Sequence, residues 1–195
     1  VLGCKLVWSD ENPPSVVSHP LEGGGSLAQL SAFDLSAGRL PLAFELTRKL
    51  KAEIGDKVAL YGLICGPFTL AMHLMGQDLF MGMFDHPDYV KAVVSYCSSI
   101  GCQMSKAYIE AGVDVVAVVD PMTSQISAEH FSEFVSPYLN LIFDTVRTHG
   151  CLSSLFVCGD ATRNMGEMAK TSCDNMSIDE NISLGSLRDI SRTTG

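Results

Sequence analysis

Four short runs constrain this chain more than any other feature. Residues 58–65 (VALYGLIC), 113–120 (VDVVAVVD) and 152–158 (LSSLFVC) are apolar almost throughout and of strand length, and 175–179 (NMSID) reads as a last strand. Stretches with helical periodicity separate them. Nearly all-apolar strands that alternate with helices indicate a parallel sheet covered on its helix side.

The helices carry their own signals. After Pro41, the residues Leu42, Leu46, Leu50 and Ile54 form one apolar stripe of a helix that should end at Gly55. Residues 68–75 read as a helix after the Gly66-Pro67 stop. A long helix opens with Pro87 in its first turn, behind Asp85-His86, and runs to about Gly112 with a break expected near Gly101. Residues 128–135 form another. Ser136-Pro137 reads as an N-cap and first-turn pair for a helix reaching His149, and 164–171 is a short one. Before residue 38 the pattern is irregular: residues 5–8 are of strand type, and beyond them Pro13-Pro14 and Gly23-Gly24-Gly25 interrupt the chain.

Composition narrows the function. Among 195 residues, 13 Lys+Arg oppose 22 Asp+Glu for a net charge of −9, with 47% hydrophobic and 18% charged. That mix fits one globular domain or part of one, and excludes a disordered tail, a collagen-like fibre and a highly charged coiled coil. An acidic balance without a Lys/Arg cluster excludes nucleic acid as an expected partner. Seven cysteines, odd in number and without a CxxC pair, are expected to be reduced, in a cytoplasm, and mostly packed as small apolar residues. No signal peptide is read at the start, where Val1-Leu2-Gly3-Cys4-Lys5 leads directly to Trp8 and charged residues. Twenty uncharged residues lie between Lys57 and Asp78, about the length of a membrane span. Gly62, Gly66 and Pro67 interrupt them and His73 lies among them, so a strand, a tight turn and a short buried helix are expected, with no membrane partner.

Polar chemistry gathers where the strands stop: Cys65-Gly66-Pro67, Asp120-Pro121, Cys158-Gly159-Asp160 and Asp179-Glu180. In a (β/α)8 barrel the active site lies at that end of the strands. A doubly wound sheet also binds ligands there, but carries a glycine-rich phosphate loop. Gly23-Gly24-Gly25 is not one, having no strand before it and no GxGxxG spacing. The expected fold is therefore an α/β (β/α)8 TIM barrel. Such a barrel takes about 250 residues, and only about four or five of its units are visible here. A partial barrel leaves strand edges open, so the sequence is expected either to be a fragment or to be closed by a second chain, as in a homodimer. The absent initiator Met and the Thr193-Thr194-Gly195 ending favour the fragment.

An ordered set of motifs now stands out: Gly38-Arg39-Leu40-Pro41, Gly66-Pro67-Phe68-Thr69-Leu70-Ala71, Ala111-Gly112-Val113-Asp114 through Asp120-Pro121, Phe134-Val135-Ser136-Pro137-Tyr138, Cys158-Gly159 and Ser177-Ile178-Asp179-Glu180. In order and spacing this set resembles the uroporphyrinogen decarboxylase superfamily over most of residues 38–184. The resemblance implies a barrel of that type, present here as one domain over 1–195 that lacks an N-terminal part and the last strands. Two chemistries come with it. The decarboxylases remove acetate-side-chain carboxyls from a tetrapyrrole without a cofactor, using an Arg-rich motif and an aspartate near the N-terminus, neither of which is located here. The cobamide-dependent methyltransferases move a methyl group between a corrinoid protein and a thiol or similar small-molecule acceptor, usually with zinc, and carry His-x-Cys-Gly at a strand end with a second Cys downstream. Here that motif reads Phe156-Val157-Cys158-Gly159, which is closer to the methyltransferases but lacks the His, and the second Cys of the pattern would lie beyond Gly195. A degenerate barrel that binds a corrinoid or partner protein without turnover is a third reading.

The strand ends supply the site candidates. A zinc ion lowers a thiol's pKa so that a thiolate forms at neutral pH, and Cys158 is the metal-ligand candidate, with Asp179 or Glu180 as a second donor. A catalytic zinc needs about three protein ligands, and Cys158 is equally readable as a small strand residue. Asp120, Asp179 and Glu180 are the catalytic candidates. Asp120 is either a pocket acid or the cap of the following turn, and strand alternation keeps Asp179 and Glu180 from both entering a barrel mouth. Gly66, Pro67 and His73 are the cofactor-binding candidates, with His73 otherwise a buried, satisfied histidine. His86, His130 and His149 read as surface or capping residues. Met72, Met75, Met81 and Met83 either line a cleft for a flat macrocycle or fill the core.

Overall fold

The computed structural model describes residues 2–12 and 14–194. Val1, Pro13 and Gly195 lie outside the described residues, and with them parts of the expected Pro13-Pro14 interruption and of the expected ending.

A two-residue antiparallel hairpin, β1 (Leu6–Val7) and β2 (Ser15–Val16), opens the chain. Helix α1 (Leu40–Ile54) carries Pro41 in its first turn and stops at Gly55, whose N–H returns to the Lys51 carbonyl. Its Leu42–Leu46–Leu50–Ile54 stripe is real but points away from the core, at 37–54% exposure. The buried contact comes from Phe44, which packs with Ala107 and Ala111 and meets the Tyr108 ring edge-on. Small alanines let the two helices approach on that side.

The expected sheet comes next. Strand β3 (Tyr61–Cys65) leads through Gly66 into α2 (Pro67–Met75), then α3 (Asp78–Asp85), which the sequence pattern does not separate, and α4 (Pro87–Ala111). Then come β4 (Val115–Val119), a 3-10 turn (Pro121–Gln125), α5 (Ala128–Phe134), α6 (Ser136–Thr148), β5 (Leu152–Val157), α7 (Met165–Met168), β6 (Asn175–Ile178) and α8 (Leu184–Thr194). The four longer strands are all parallel and lie in chain order, β3-β4-β5-β6. This is consecutive β/α winding, the arrangement of a partial barrel. Among the described residues, no helix is long and apolar enough to cross a membrane.

Two helix expectations are corrected. Helix α4 does not break at Gly101. A Cβ there would stand 2.5 Å from Ile142 Cδ1, so the glycine lets α6 press against an unbroken α4. Ser136 does not cap α6. The helix already includes it, the N–H groups of Tyr138 and Leu139 go to the Val135 carbonyl, and the buried Ser136 Oγ has no hydrogen-bond partner.

Side chains alternate across the sheet. Ile64, Val116, Val118, Leu155 and Val157 face the helices and join one core with Phe68, Phe131, Leu139 and Phe143. The opposite face carries, in register, Tyr61–Val115–Leu152, Leu63–Ala117–Ser154 and Cys65–Val119–Phe156–Ser177. It is uncovered at the edges: Tyr61, Leu63 and Leu152 are 53–60% exposed.

Candidate active site

Parallel register brings all four polar strand ends to one edge of the sheet, since Cys65, Val119, Phe156 and Ser177 are neighbours and the chain turns out just past each of them. At the first of these ends, Gly66 continues the ladder by donating to the Val119 carbonyl (2.8 Å), and Pro67 opens α2. Helix α2 has no cap from its own segment. Asp120, from the neighbouring strand, supplies it: its carboxylate accepts from the N–H of Phe68 (3.2 Å), the N–H of Thr69 (2.7 Å) and the Thr69 hydroxyl (2.6 Å). This satisfies helix N-terminal donors that have no intrahelical partner. The approach is so close that a Cβ on Gly66 would lie 2.3 Å from Asp120 Cβ and Cγ. Asp120 is 0% exposed, and burial pushes its pKa up to about 6 against the lowering effect of the three hydrogen bonds. It caps the helix preceding it, although its own carbonyl also receives the N–H and hydroxyl of Thr123 in the following turn.

The Thr69 hydroxyl also receives the Met122 N–H (3.1 Å), tying α2 to the turn after β4. Beside it, Leu63, Cys65, Thr69, Val119 and Pro121 border an open cleft of about 340 Å³. That turn is held from below by Asn164, whose side-chain amide donates to the carbonyls of Thr123 (2.7 Å) and Ile126 (3.1 Å). The sequence reading missed Thr69 and Asn164 as site-forming residues. Thr69 sat within a recognised motif, whereas Asn164 carried no local signal.

At the β5 and β6 ends, Cys158 is half-buried. The following residue, Gly159, donates its N–H to Asp179 Oδ2 (2.8 Å), while Asp179 Oδ1 accepts from the Asn181 N–H and side-chain amide. These donors, Gly159 first, hold the Asp179 carboxyl below its usual range. Burial, followed by the Asp179 charge, pushes the Cys158 thiol up. Glu180 is exposed, and its side chain also hydrogen-bonds Asp179. Phe156 stands two residues before Cys158 on the uncovered face, in register with Val119 and Ser177.

His73 is apart from this edge. It lies in the last turn of α2, bordering an apolar cleft of about 440 Å³ between the N-terminal segment, β3, α2 and α4. Its ring pKa is lowered by burial and then by the His19 ring. Its carbonyl, not its ring, receives the Cys4 thiol and His19 Nδ1. Met75 and Met83 are core residues while Met81 is exposed, and Met75 and Met81 border a smaller cleft beside Gly23 and Gly24. His86 and His149 are exposed at helix ends, and His130 stacks edge-on against Phe84 and Phe134. All seven cysteines are free thiols.

The donors of the described residues do not by themselves make up the zinc site that the resemblance implies. Among the described residues, no three His, Cys, Asp or Glu side chains lie close enough together to hold a metal ion.

With this geometry in view, comparison with known proteins gives the family. The family model for uroporphyrinogen decarboxylase (URO-D) matches residues 1–194. The chain belongs to the uroporphyrinogen decarboxylase family. Within that family it is 28% identical over 192 residues to the methylcobamide:CoM methyltransferase MtbA of Methanosarcina acetivorans, covering 97% of this chain and 57% of that one. It is 26% identical over 185 residues to MtaA of Methanosarcina barkeri, covering 93% and 54%, and 26% identical over 196 residues to the uroporphyrinogen decarboxylase of Trichlorobacter lovleyi, covering 97% and 56%. The chain thus spans a little over half the length of these family members. A solved methyltransferase from Methanosarcina mazei superposes with a TM-score of 0.88 at 23% identity, over 100% of this chain and 58% of that one, which establishes the family fold.

Proposed function

We propose that this chain is the central part of a corrinoid-dependent methyltransferase, moving a methyl group between a corrinoid carried by a partner protein and a thiol or similar small acceptor in the cytoplasm. The observation that carries the reading is the Cys158-Gly159 pair at the β5 end, set against Asp179 at the edge where all four parallel strands stop. Similarity to methylcobamide:CoM methyltransferases over 93–97% of the chain supports it.

In such a transfer the acceptor thiol gives its proton to solvent and the thiolate sulfur attacks the methyl carbon. The carbon–sulfur bond forms as the cobalt–carbon bond breaks, and the electron pair stays on the cobalt of the substrate corrinoid. The residues here contribute position and environment. Leu63, Val119 and Phe156 present apolar side chains on the same face of the sheet, a surface against which an apolar part of the substrate can rest. The Asp120–Thr69–Met122 ties fix the βα turns that border the mouth. Asp179, held ionised by its N–H donors, keeps the Gly159 turn closed beside Cys158. Because the donors of the described residues do not by themselves make up a zinc site, no step is assigned to a metal.

Mixing the protein with a methylated corrinoid protein and then adding CoM or another thiol tests this. The cobalt absorption spectrum is expected to change on addition of acceptor. No change across several thiols and folate overturns the reading, and carbon dioxide release from uroporphyrinogen replaces it with decarboxylation.

A further inference from the structure

We infer that Asn164 is a positioning residue for the Cys158 corner: its side chain clamps the turn that carries Cys158-Gly159 to the turn that follows β4. That this bears on turnover rests on the methyl-transfer reading; the clamp itself rests on geometry alone.

The ladder between β4 and β5 ends where the Asp120 N–H donates to the Phe156 carbonyl (2.9 Å). Past that point the two segments leave the sheet. Among the described residues, the hydrogen bonds that join residues 121–126 to residues 158–164 both come from Asn164. Its amide NH2 spends one hydrogen on the Thr123 carbonyl (2.7 Å) and the other on the Ile126 carbonyl (3.1 Å). Asn164 and Thr123 are both 0% exposed. A neutral amide is what this place requires. A carboxylate would face two carbonyl oxygens. An apolar side chain of the same size would take this donor from the Ile126 carbonyl and leave Thr123 the long contact (3.5 Å) from the Ile126 N–H.

The clamp continues on both sides. Asn164 closes the 3-10 turn Thr162–Asn164, its N–H returning to the Ala161 carbonyl (2.8 Å) and the Ala161 N–H to the Gly159 carbonyl (3.0 Å). Gly159, in the left-handed region at φ +79°, donates its own N–H to Asp179. Ser124 Oγ lies 3.7 Å from where a Cβ on Gly159 would stand, so the two turns pack together there. On the other side, the Thr123 N–H and hydroxyl both go to the Asp120 carbonyl, and the Asp120 carboxylate holds α2. The Cys158-Gly159 turn is thus fixed from two directions, by Asp179 at the β6 end and by Asn164 against the β4 turn.

The far end of the same amide points the same way. Asn164 Oδ1 is buried and has no hydrogen-bond partner among the described residues. Exchanging the two ends of the amide would set oxygen against both carbonyls. For stability alone an unsatisfied buried oxygen is a cost, and the donating end is what that cost serves.

The test is Cys158 reactivity in the intact protein, read without turnover. Reduced wild type and Asn164→Leu are alkylated across pH, and each thiol is followed by peptide mass spectrometry. Alkylation of Cys158 is expected to rise roughly tenfold in the variant, the scale on which losing two buried hydrogen bonds shifts a local opening. Its pH profile is expected to move to lower pH, because burial is the first cause of its raised value and an opened turn admits water. Cys97, in the core on α4, is expected to keep its wild-type rate. Equal rises at Cys158 and Cys97 overturn the inference, since Asn164 would then support the fold as a whole. So does an unmoved Cys158 profile in a folded variant. If Asn164→Leu does not fold, hydrogen exchange of the wild type decides: the Thr123 and Asn164 N–H groups are expected to open together, and independent exchange overturns the clamp. A clamp that passes in a protein without methyl transfer counts against the methyl-transfer reading alone.

Discussion

Asp114 and Asp120 stand at the two ends of β4, and both carboxylates accept backbone N–H groups from the β3 region, yet their surroundings are opposite. Asp114, 37% exposed, holds Lys51 Nζ at 2.6 Å and the Leu60 N–H at 2.9 Å, and Lys51 first, then Leu60, keeps its carboxyl below the usual range. Among the described residues, no cation stands beside Asp120. It is sealed under Gly66 and α2, and burial raises it to about 6. At the N-terminal end of the sheet water and a lysine stabilise the charge. At the C-terminal end only helix donors do so, and the carboxylate becomes a tie that fixes the rim of the mouth. A strand-end acid is therefore not a site acid by position alone. The face it points to decides, and Asp120 points to α2 while Asp179 closes a turn beside Cys158.

The largest effect is expected where the buried end is most crowded. Gly66→Ala keeps an allowed backbone (φ −67°) but drives a methyl to 2.3 Å from Asp120. Either the carboxylate leaves its three donors or the strand end shifts, at a cost of about 3 kcal/mol, the upper part of the overpacking range. Chemical denaturation measures it. An unchanged midpoint would mean that Asp120 is not clamped as described.

Asp120→Asn comes next. Its amide NH2 must face one of the donors that the carboxylate accepts, costing on the order of 2 kcal/mol at neutral pH. The pH dependence gives the sharper test. A buried acid whose folded pKa lies above its unfolded value binds its proton more tightly when folded. The wild type therefore gains stability as pH falls from about 6 to about 4, by up to roughly 3 kcal/mol. The asparagine variant lacks this gain, so its deficit should widen on acidification. A deficit that narrows there reverses the assigned sign.

The same contrast explains which features are legible in the sequence and which are not. The strands are legible because long apolar runs have few other uses, and their common polar edge is legible because parallel strands point the same way. The α1 stripe is legible as a face but not in direction. Periodicity says that Leu42, Leu46, Leu50 and Ile54 share a side, whereas Phe44 and the alanines of α4 decide which side is buried. Helix α3 is hidden in an apolar stretch without a cap signal, and α8 is too polar to stand out. Asp120 stands out correctly as a strand-end acid, but its partners lie some fifty residues earlier, a pairing that only the fold makes.

Asp179→Asn probes the open end. Removing the charge is expected to let the Cys158 thiol ionise at lower pH, without abolishing the burial that is the larger cause of its raised value. Alkylation rates across pH, resolved by peptide mass spectrometry to separate the seven thiols, read this out. An unmoved profile would mean that Asp179 acts on the Gly159 turn alone.

The smallest effect is expected at the solvent-facing end of β4. Asp114→Asn removes the charge paired with Lys51 but keeps an oxygen for the Leu60 N–H. With both partners over one-third exposed, screening holds the cost to about 0.5 kcal/mol. Its pH signature opposes that of Asp120. A depressed folded pKa stabilises above the unfolded value near 4, and that contribution is lost as pH falls below it. The deficit of Asp114→Asn should therefore shrink toward acid and toward high salt, while that of Asp120→Asn grows toward acid. Equal pH trends in the two variants would break the contrast between the exposed and the sealed end of this strand.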